Sequence, residues 1–205
     1  MTLATYQNGT SKASATLSRL VEEAQLQDGL TITETLRLMG KSGFGFVILL
    51  LALPAMIPIP GPFGMLFGSA LAIVSLQLAF GLKSLWLPSL IGDRRISAKA
   101  FGALERHASP LVRRIERFVE PGRMKALSGP RVTYLLALPV FCLAVAVALP
   151  IPFGNIAPVA ALCVIAIGLI ERDGLVVSLG LGLTLVALGV TVALLYTAAS
   201  LVPWF

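Results

Sequence analysis

The sequence predicts an all-α integral membrane protein. We expect two repeated re-entrant-like hairpins of helix, Pro/Gly break and helix, one long terminal transmembrane helix, and amphipathic interfacial helices. Composition is the first reason, since 57% of the 205 residues are hydrophobic and only 13% are charged, against about 45–50% apolar and about 25% charged in an ordinary soluble domain. The second reason is the run 175–202, which carries no charge. The third is an apolar segment, interrupted by Pro-Ile-Pro, that recurs about 90 residues further along the chain.

These observations predict one membrane domain over residues 1–205, because at this length the chain holds at most one compact unit. In chain order its parts are a first repeat with N-terminal amphipathic helices, a basic amphipathic connector, a second repeat and the terminal transmembrane helix, over residues 11–82, 83–131, 132–174 and 175–202.

The N-terminal segment is polar and predicts two short amphipathic helices. Its first ten residues lack the basic and apolar regions of a signal peptide, so we expect internal segments to direct insertion and the N-terminus to stay cytoplasmic. Asp28-Gly29 is the expected stop of the first helix. Thr31 and Glu34 have the spacing of a capping box, which predicts a second helix that ends at about residue 40.

The first apolar unit is a helix over 43–57, a proline-rich break, and a returning helix over 63–82. Three prolines within five residues end the first helix, because proline lacks the N–H donor and clashes with the preceding turn. Fifteen residues cover only about 22 Å of a roughly 30 Å hydrocarbon core. The unit is therefore either re-entrant or a pair of short spans.

The connector 83–131 contains eleven Lys and Arg residues against four Asp and Glu residues. Such an excess predicts the cytoplasmic side of the membrane. Ser97 is an expected helix cap, and residues 109–120 form a basic amphipathic helix expected to lie among anionic headgroups. With so apolar a chain, the net charge of +6 indicates a membrane surface rather than nucleic acid as the partner.

The second apolar unit repeats the first. A helix over 132–149 is interrupted at Pro150-Ile151-Pro152, and a second helix follows over 153–170. A short charged segment, 171–174, then leads into the uncharged run 175–202, which is long enough to span a bilayer.

Matched breaks in two halves predict a ligand site built by discontinuous helices. The helix N-termini at Phe63 and Phe153 are expected to present unpaired N–H groups and the positive end of the helix dipole, which suit an anionic group. The alternative is that the breaks only turn the chain, and that helix hydrogen bonding or capping accounts for the polar residues nearby. The candidate ligand or cavity residues are Pro58, Pro60, Gly61, Pro62, Gln77, Pro150, Pro152, Asn155, Arg172 and Asp173; for the last pair a solvated loop is the alternative.

Catalytic and metal-binding patterns are not found in the sequence. It has one histidine, His107, and two cysteines, Cys142 and Cys163, each inside an apolar run and best explained as small core residues. No Asp or Glu lies inside an apolar segment, which weakens a proton-coupled pump. We therefore expect no enzyme, no catalytic residue, no metal and no cofactor. Small-residue faces at 64–68 and 178–182 allow close helix packing, within the chain or in a homodimer.

The two breaks lie within an ordered set of motifs: Leu53-Pro54, Ile57-Pro58, Pro60-Gly61-Pro62, Gln77, Gly81, Trp86-Leu87-Pro88, then Leu149 to Asn155, Pro158, Gly168 and Arg172-Asp173-Gly174. With these motifs the chain resembles the ExoD family of exopolysaccharide synthesis proteins over roughly residues 12–200. The resemblance implies a multi-pass protein of the bacterial inner membrane linked to exopolysaccharide production. It implies no catalytic residues.

The resulting functional hypothesis is a transport or accessory role in exopolysaccharide synthesis or export. The expected ligand is anionic, such as an anionic lipid or a lipid-linked sugar phosphate, and the bilayer is the expected partner. A non-catalytic scaffold of an exopolysaccharide assembly is the alternative. An enzyme acting on lipid-linked sugars is disfavoured by the missing acidic or histidine groups.

Overall fold

The computed structural model describes residues 13–40, 42–56, 63–82, 85–103, 105–106, 134–151 and 154–201. The regular secondary structure within them is helical, as predicted, apart from two paired strands of two residues each. The helices are α1 (Ala13–Leu26), α2 (Ile32–Met39), α3 (Ser42–Ala55), α4 (Phe63–Ala79), α5 (Ser89–Gly92), α6 (Ala137–Ala148), α7 (Ile156–Glu171) and α8 (Gly174–Leu201), and the strands are β1 (Leu30–Thr31) and β2 (Arg95–Ile96). The basic helix expected over 109–120 and His107 lie outside the described residues.

The turn between α1 and α2 has the expected chemistry. Asp28 and Gly29 adopt positive φ angles of 53° and 117°. A Cβ on Gly29 would lie 2.6 Å from the Ile96 carbonyl oxygen, so a side chain there is excluded. The capping box is confirmed, because the Glu34 amide donates to Thr31 Oγ1 at 3.1 Å and the Thr31 amide donates to Glu34 Oε2 at 2.8 Å. These bonds from Thr31, the backbone one above all, hold the pKa of Glu34 below its usual value.

Substitution Thr31→Ala is expected to lower the stability of this cap by about 1 kcal/mol, as for other lost N-caps. The lowered pKa of Glu34 adds a pH dependence. A carboxylate with a depressed folded-state pKa stabilises above its unfolded value, here 4.5, and that contribution is lost as pH falls through the folded value. The measurement is thermal unfolding in detergent at pH 7 and near pH 4, where the loss should shrink. Thr197→Ala, on an exposed intrahelical hydroxyl, is the control; an equal loss there would contradict the assignment.

The connector folds back on the N-terminal helices. β1 pairs antiparallel with β2, with Leu30 opposite Ile96 and Thr31 opposite Arg95. The Arg95 guanidinium donates to the Gln27 and Gly29 carbonyls at 3.0 Å each. Ser97 caps the helical residues 98–103, as predicted, through the Ala100 amide at 3.3 Å. A small separate core forms here from Leu20, Val21, Ala24, Leu30 and Phe101.

The four shorter apolar helices form the main core. The first helix of each repeat packs on the second helix of the other repeat. Helix α3 packs on α7, and α4 packs on α6. The backbones approach at glycines: a Cβ on Gly45 would lie 2.7 Å from the Ala166 carbonyl oxygen, and one on Gly68 would lie 2.6 Å from the Ala148 amide nitrogen. The largest fully buried side chains of this core include Phe44, Ile48, Leu71, Val140, Leu143, Leu162 and Ile165.

These contacts set the direction of each helix. The start of α3 lies at the end of α7, where Ser42 Oγ donates to the Ile170 carbonyl at 3.3 Å. The start of α4 lies at the end of α6, since a Cβ on Gly64 would meet the Val147 carbonyl oxygen at 2.8 Å, and it also meets Asn155 just before α7. The end of α6 and the starts of α4 and α7 therefore lie together.

Helix α8 is the one described helix that is long and apolar enough to cross a membrane, with a mean hydropathy of 2.3 over an 18-residue stretch within Gly174–Ser200. Only 28% of that stretch is buried, unlike the core helix of a soluble protein. Large apolar side chains are also exposed on the shorter helices, among them Leu50, Met65, Leu66, Ile73 and Leu138. A soluble surface rarely carries apolar area of this extent. The fold thus supports a membrane association.

Candidate functional site

Asn155 is the polar side chain that the structure places where the helix ends meet. It precedes α7, and its carbonyl accepts the first helical bond, from the Val159 amide, at 2.9 Å. Its own φ and ψ, −76° and −19°, are helical, and its side chain makes no capping bond. Its Oδ1 atom is buried and has no hydrogen-bond partner among the residues described. The capping alternative for Asn155 therefore does not hold in this structure.

Gly64 brings the first turn of α4 against this amide. A Cβ at Gly64 would lie 2.8 Å from Asn155 Nδ2 and 2.8 Å from the Val147 carbonyl oxygen. Only glycine permits this approach, because one of the two contacts is with rigid backbone. Gly64, the first glycine of the small-residue face 64–68, thus lets α4 contact both α6 and Asn155. The spacing of the two glycines predicts close helix packing but does not identify these partners.

The chain between α6 and α7 begins with Pro150, which is exposed and follows a residue, Leu149, in extended backbone. The Gly154 amide donates to the Ile151 carbonyl at 3.0 Å and closes the turn before α7. Helix α7 begins at Ile156, three residues later than the sequence predicts. Pro158 stands in its first turn, where the absent N–H removes no helical bond.

The arrangement combines two kinds of group. The first turns of α4 and α7 present N–H groups that have no partner within their helices, at the positive ends of two helix dipoles. Asn155 adds a buried carbonyl-type acceptor beside them. Amide N–H groups suit acceptor oxygens such as those of phosphate, and an acceptor oxygen suits a hydroxyl donor. Phosphate and hydroxyl occur together in sugar phosphates.

Gln77 does not join this site. It lies thirteen residues beyond Gly64 on α4, about 20 Å along the helix, and its Oε1 accepts a hydrogen bond from the Trp86 amide at 2.7 Å. Gln77 therefore holds the chain that leaves α4, at the opposite end from Asn155. The expectation that both amides lie near one cavity is wrong for Gln77.

The charged pair after α7 also lies at that opposite end. Arg172 ends α7 with a left-handed φ of 54° and is exposed. Asp173 is fully buried, and its Oδ1 accepts from the Leu175 and Val176 amides at 2.8 and 3.4 Å. Asp173 is thus the cap of α8, a role that an acidic residue before an apolar helix signals. It does not reach Asn155.

The remaining candidates, Pro58, Pro60, Gly61, Pro62 and Pro152, lie outside the described residues. Within the described ranges no group of three or more His, Cys, Asp and Glu side chains is placed to hold a metal ion. Cys142 and Cys163 are half-buried free thiols on different helices. The absence of catalysis and of a cofactor stays a prediction.

Comparison with known proteins gives a consistent result. The chain is 27% identical over 153 residues to an uncharacterized protein of Synechocystis, covering 74% of this chain and 72% of that protein. It is 32% identical over 155 residues to Protein ExoD of Rhizobium meliloti, covering 74% of this chain and 64% of that protein. No solved structure matches it. The family model described as "Exopolysaccharide synthesis, ExoD" matches residues 13–193, and the chain therefore belongs to the ExoD family.

Proposed function

We propose that this protein acts in exopolysaccharide synthesis or export as a multi-pass inner-membrane protein that moves or presents an anionic ligand, such as a lipid-linked sugar phosphate, at its paired helix breaks. The observation that carries the proposal is the meeting of Gly64, Val147 and Asn155, which joins the ends of three helices from both repeats around a buried, unpartnered amide oxygen. The family assignment supplies the process.

The packing supports two hairpins related by a two-fold axis. A two-fold rotation that exchanges the repeats would place α3 on α6 and α4 on α7. The same rotation would convert the contact between α3 and α7 into the contact between α6 and α4. Both contacts are present. Because the starts of α4 and α7 lie together, the hairpins point the same way, and we infer parallel repeats rather than inverted ones.

Helix lengths support breaks that lie within the membrane. The four shorter helices have 12 to 17 residues, which is about 18–26 Å, whereas the 28 residues of α8 span about 42 Å. Gly168 contacts Val177, and Gly180 contacts Ile165. Continuing this antiparallel register places the start of α7 beside about residue 189. Helix α8 then continues past the breaks, as expected for hairpins that are re-entrant.

A cytoplasmic N-terminus completes the proposed topology, with α8 carrying the C-terminus to the outside. In a background without Cys142 and Cys163, a cysteine replacing exposed Glu22 should be protected from an impermeant thiol reagent in intact cells. One replacing exposed Ser200 should react. Permeabilised cells, in which both must react, are the control. Labelling at 22 without labelling at 200 would reverse the topology.

Reconstitution into liposomes tests the activity itself. The probes are a soluble sugar 1-phosphate and a fluorescent short-chain prenyl phosphate, with neutral analogues that lack the phosphate. Flux of either probe above empty liposomes, and not of the neutral analogue, is the expected result. Chemical conversion of a probe would instead make the protein an enzyme. Absence of both, with correctly folded protein, would contradict transport and leave the scaffold role.

A further inference from the structure

A polar cavity lies at the end of the apolar helices opposite the paired breaks, where α1 and α2 meet the start of α3 and the end of α7. Its volume is about 220 Å³. Two arginines line it, Arg19 from α1 and Arg172 from the end of α7, with the hydroxyls of Thr16 and Ser42. Two guanidinium groups from residues 153 positions apart in the sequence thus line the same cavity.

Both guanidinium groups are available to a ligand. Within the described part of the chain, the guanidinium groups of Arg19 and Arg172 form no hydrogen bond or ion pair. The one carboxylate among the described lining residues is that of Glu23, which accepts a hydrogen bond from the Gln27 side chain at 2.5 Å. Among the described residues of the lining, two positive charges and one negative charge give a net charge of +1.

Size limits what the cavity encloses. A volume of about 220 Å³ corresponds to roughly seven water molecules at about 30 Å³ each, below the about 300–1,000 Å³ of pockets that enclose a drug-sized ligand. It fits a phosphate group with a few attached atoms. Arginine is suited to phosphate because its planar fork donates two parallel hydrogen bonds.

The surroundings indicate where that phosphate comes from. Apolar side chains of α2, Leu38 and Met39, line the same cavity, and Leu38 is 44% exposed. The cavity lies beside the start of α8, the helix long enough to span a membrane. In a bilayer spanned by α8, lipid headgroups would lie at this level, with their phosphates within reach of the arginines and their glycerol and acyl groups beside the leucine.

We propose that this cavity binds the phosphate of an anionic phospholipid headgroup. The site is separate from the paired breaks, and it does not depend on the function proposed for them. Bound lipid would join α1 to the end of α7, and so fasten the N-terminal helices to the membrane-embedded unit through charge as well as through the apolar contacts of α2.

The test measures lipid binding by the delipidated full chain in neutral detergent, using native mass spectrometry with short-chain phosphatidylglycerol and, for comparison, phosphatidylcholine. Phosphatidylglycerol should bind more tightly. Arg19→Gln and Arg172→Gln should each weaken its binding about tenfold, the lower end of what hydrogen bonds to charged groups contribute. Glu23→Gln should strengthen it, because a repelling charge is removed. Arg37→Gln, an exposed arginine outside the cavity, is the matched control and should change binding less than twofold.

Each outcome decides the proposal. The proposal is supported if phosphatidylglycerol binding weakens with Arg19→Gln and with Arg172→Gln, strengthens with Glu23→Gln, and stays unchanged with Arg37→Gln. Equal binding of both lipids, or equal effects of all three arginine substitutions, would overturn it. Inorganic phosphate is added as a competitor, and full displacement of the lipid at millimolar phosphate would identify free phosphate as the ligand and overturn the lipid assignment. If the arginine variants fail to fold, Glu23→Gln still tests whether the cavity prefers a negatively charged lipid, because binding of phosphatidylglycerol should then strengthen.

Discussion

Substitution Gly68→Val is expected to separate α4 from α6 and to destabilise the protein by about 3 kcal/mol or more, at the upper end of overpacking in a filled core. A Cβ at this position would lie 2.6 Å from the Ala148 nitrogen and 2.8 Å from the Ala144 oxygen. Both neighbours are backbone atoms, so no side chain can rotate away. For a chain of about 200 residues this corresponds to a fall in Tm of roughly 6–12 °C.

Thermal unfolding of the purified protein in detergent measures this effect, together with its abundance in membranes. Gly182→Val is the matched control, because a Cβ on Gly182 meets nothing within 4 Å and an exposed substitution changes stability by about 0.5 kcal/mol or less. Equal losses from both substitutions would contradict the proposed contact of α4 with α6. A change of oligomeric state with Gly182→Val alone would assign that small-residue face to a homodimer.

Substitution Asn155→Ala is expected to reduce exopolysaccharide output while leaving the folded protein as stable as before or more stable. The physical reason is that Oδ1 is buried without a partner, and a buried orphan polar atom destabilises the state that contains it. A side chain that lowers stability and is nevertheless present fits a ligand contact. Loss of one hydrogen bond to a charged ligand weakens binding by about tenfold or more.

Gln77→Ala supplies the opposite pattern and is the comparison to make. Its loss leaves the Trp86 amide without the acceptor it has at 2.7 Å, so stability should fall by about 1 kcal/mol while output per folded molecule stays constant. Output is measured in a strain that lacks its own copy, and it is divided by membrane abundance. Wild-type exopolysaccharide output from Asn155→Ala at normal membrane abundance would contradict the proposed ligand site at the breaks. An equal loss of output from Gln77→Ala and Asn155→Ala would contradict a specific role for Asn155 in ligand binding.

The local structure of this chain could be predicted from its residues because the signals act over a few positions. The Thr31–Glu34 cap, the Asp28-Gly29 turn and the Ser97 cap each depend on neighbours within three or four residues, and each is observed. The apolar runs and their proline breaks likewise predicted five of the helices to within about five residues at their ends. The family resemblance depended on the same motifs and is confirmed.

Tertiary structure alone decided which of these helices meet. Helices that are apolar on all sides have no marked face, so periodicity does not say that α4 lies on α6 rather than on α7. The choice depends on where small residues allow backbones to approach, as Gly68 does at Ala144 and Ala148. These contacts join residues about 80 positions apart in the sequence. The same pairing separates Gln77 from Asn155, which the sequence had placed together.

The charged residues show the same division. Sequence alone located the basic residues between the apolar units and the charged segment 171–174 before the long helix, because charge is a local property. Only the folded chain brings Arg19 to Arg172 around one cavity, and only the folded chain uses Asp173 as a buried cap while leaving Arg172 exposed. The reason is that burial and charge proximity depend on the packing of α1 and α2 against the ends of α3 and α7, which no local pattern encodes.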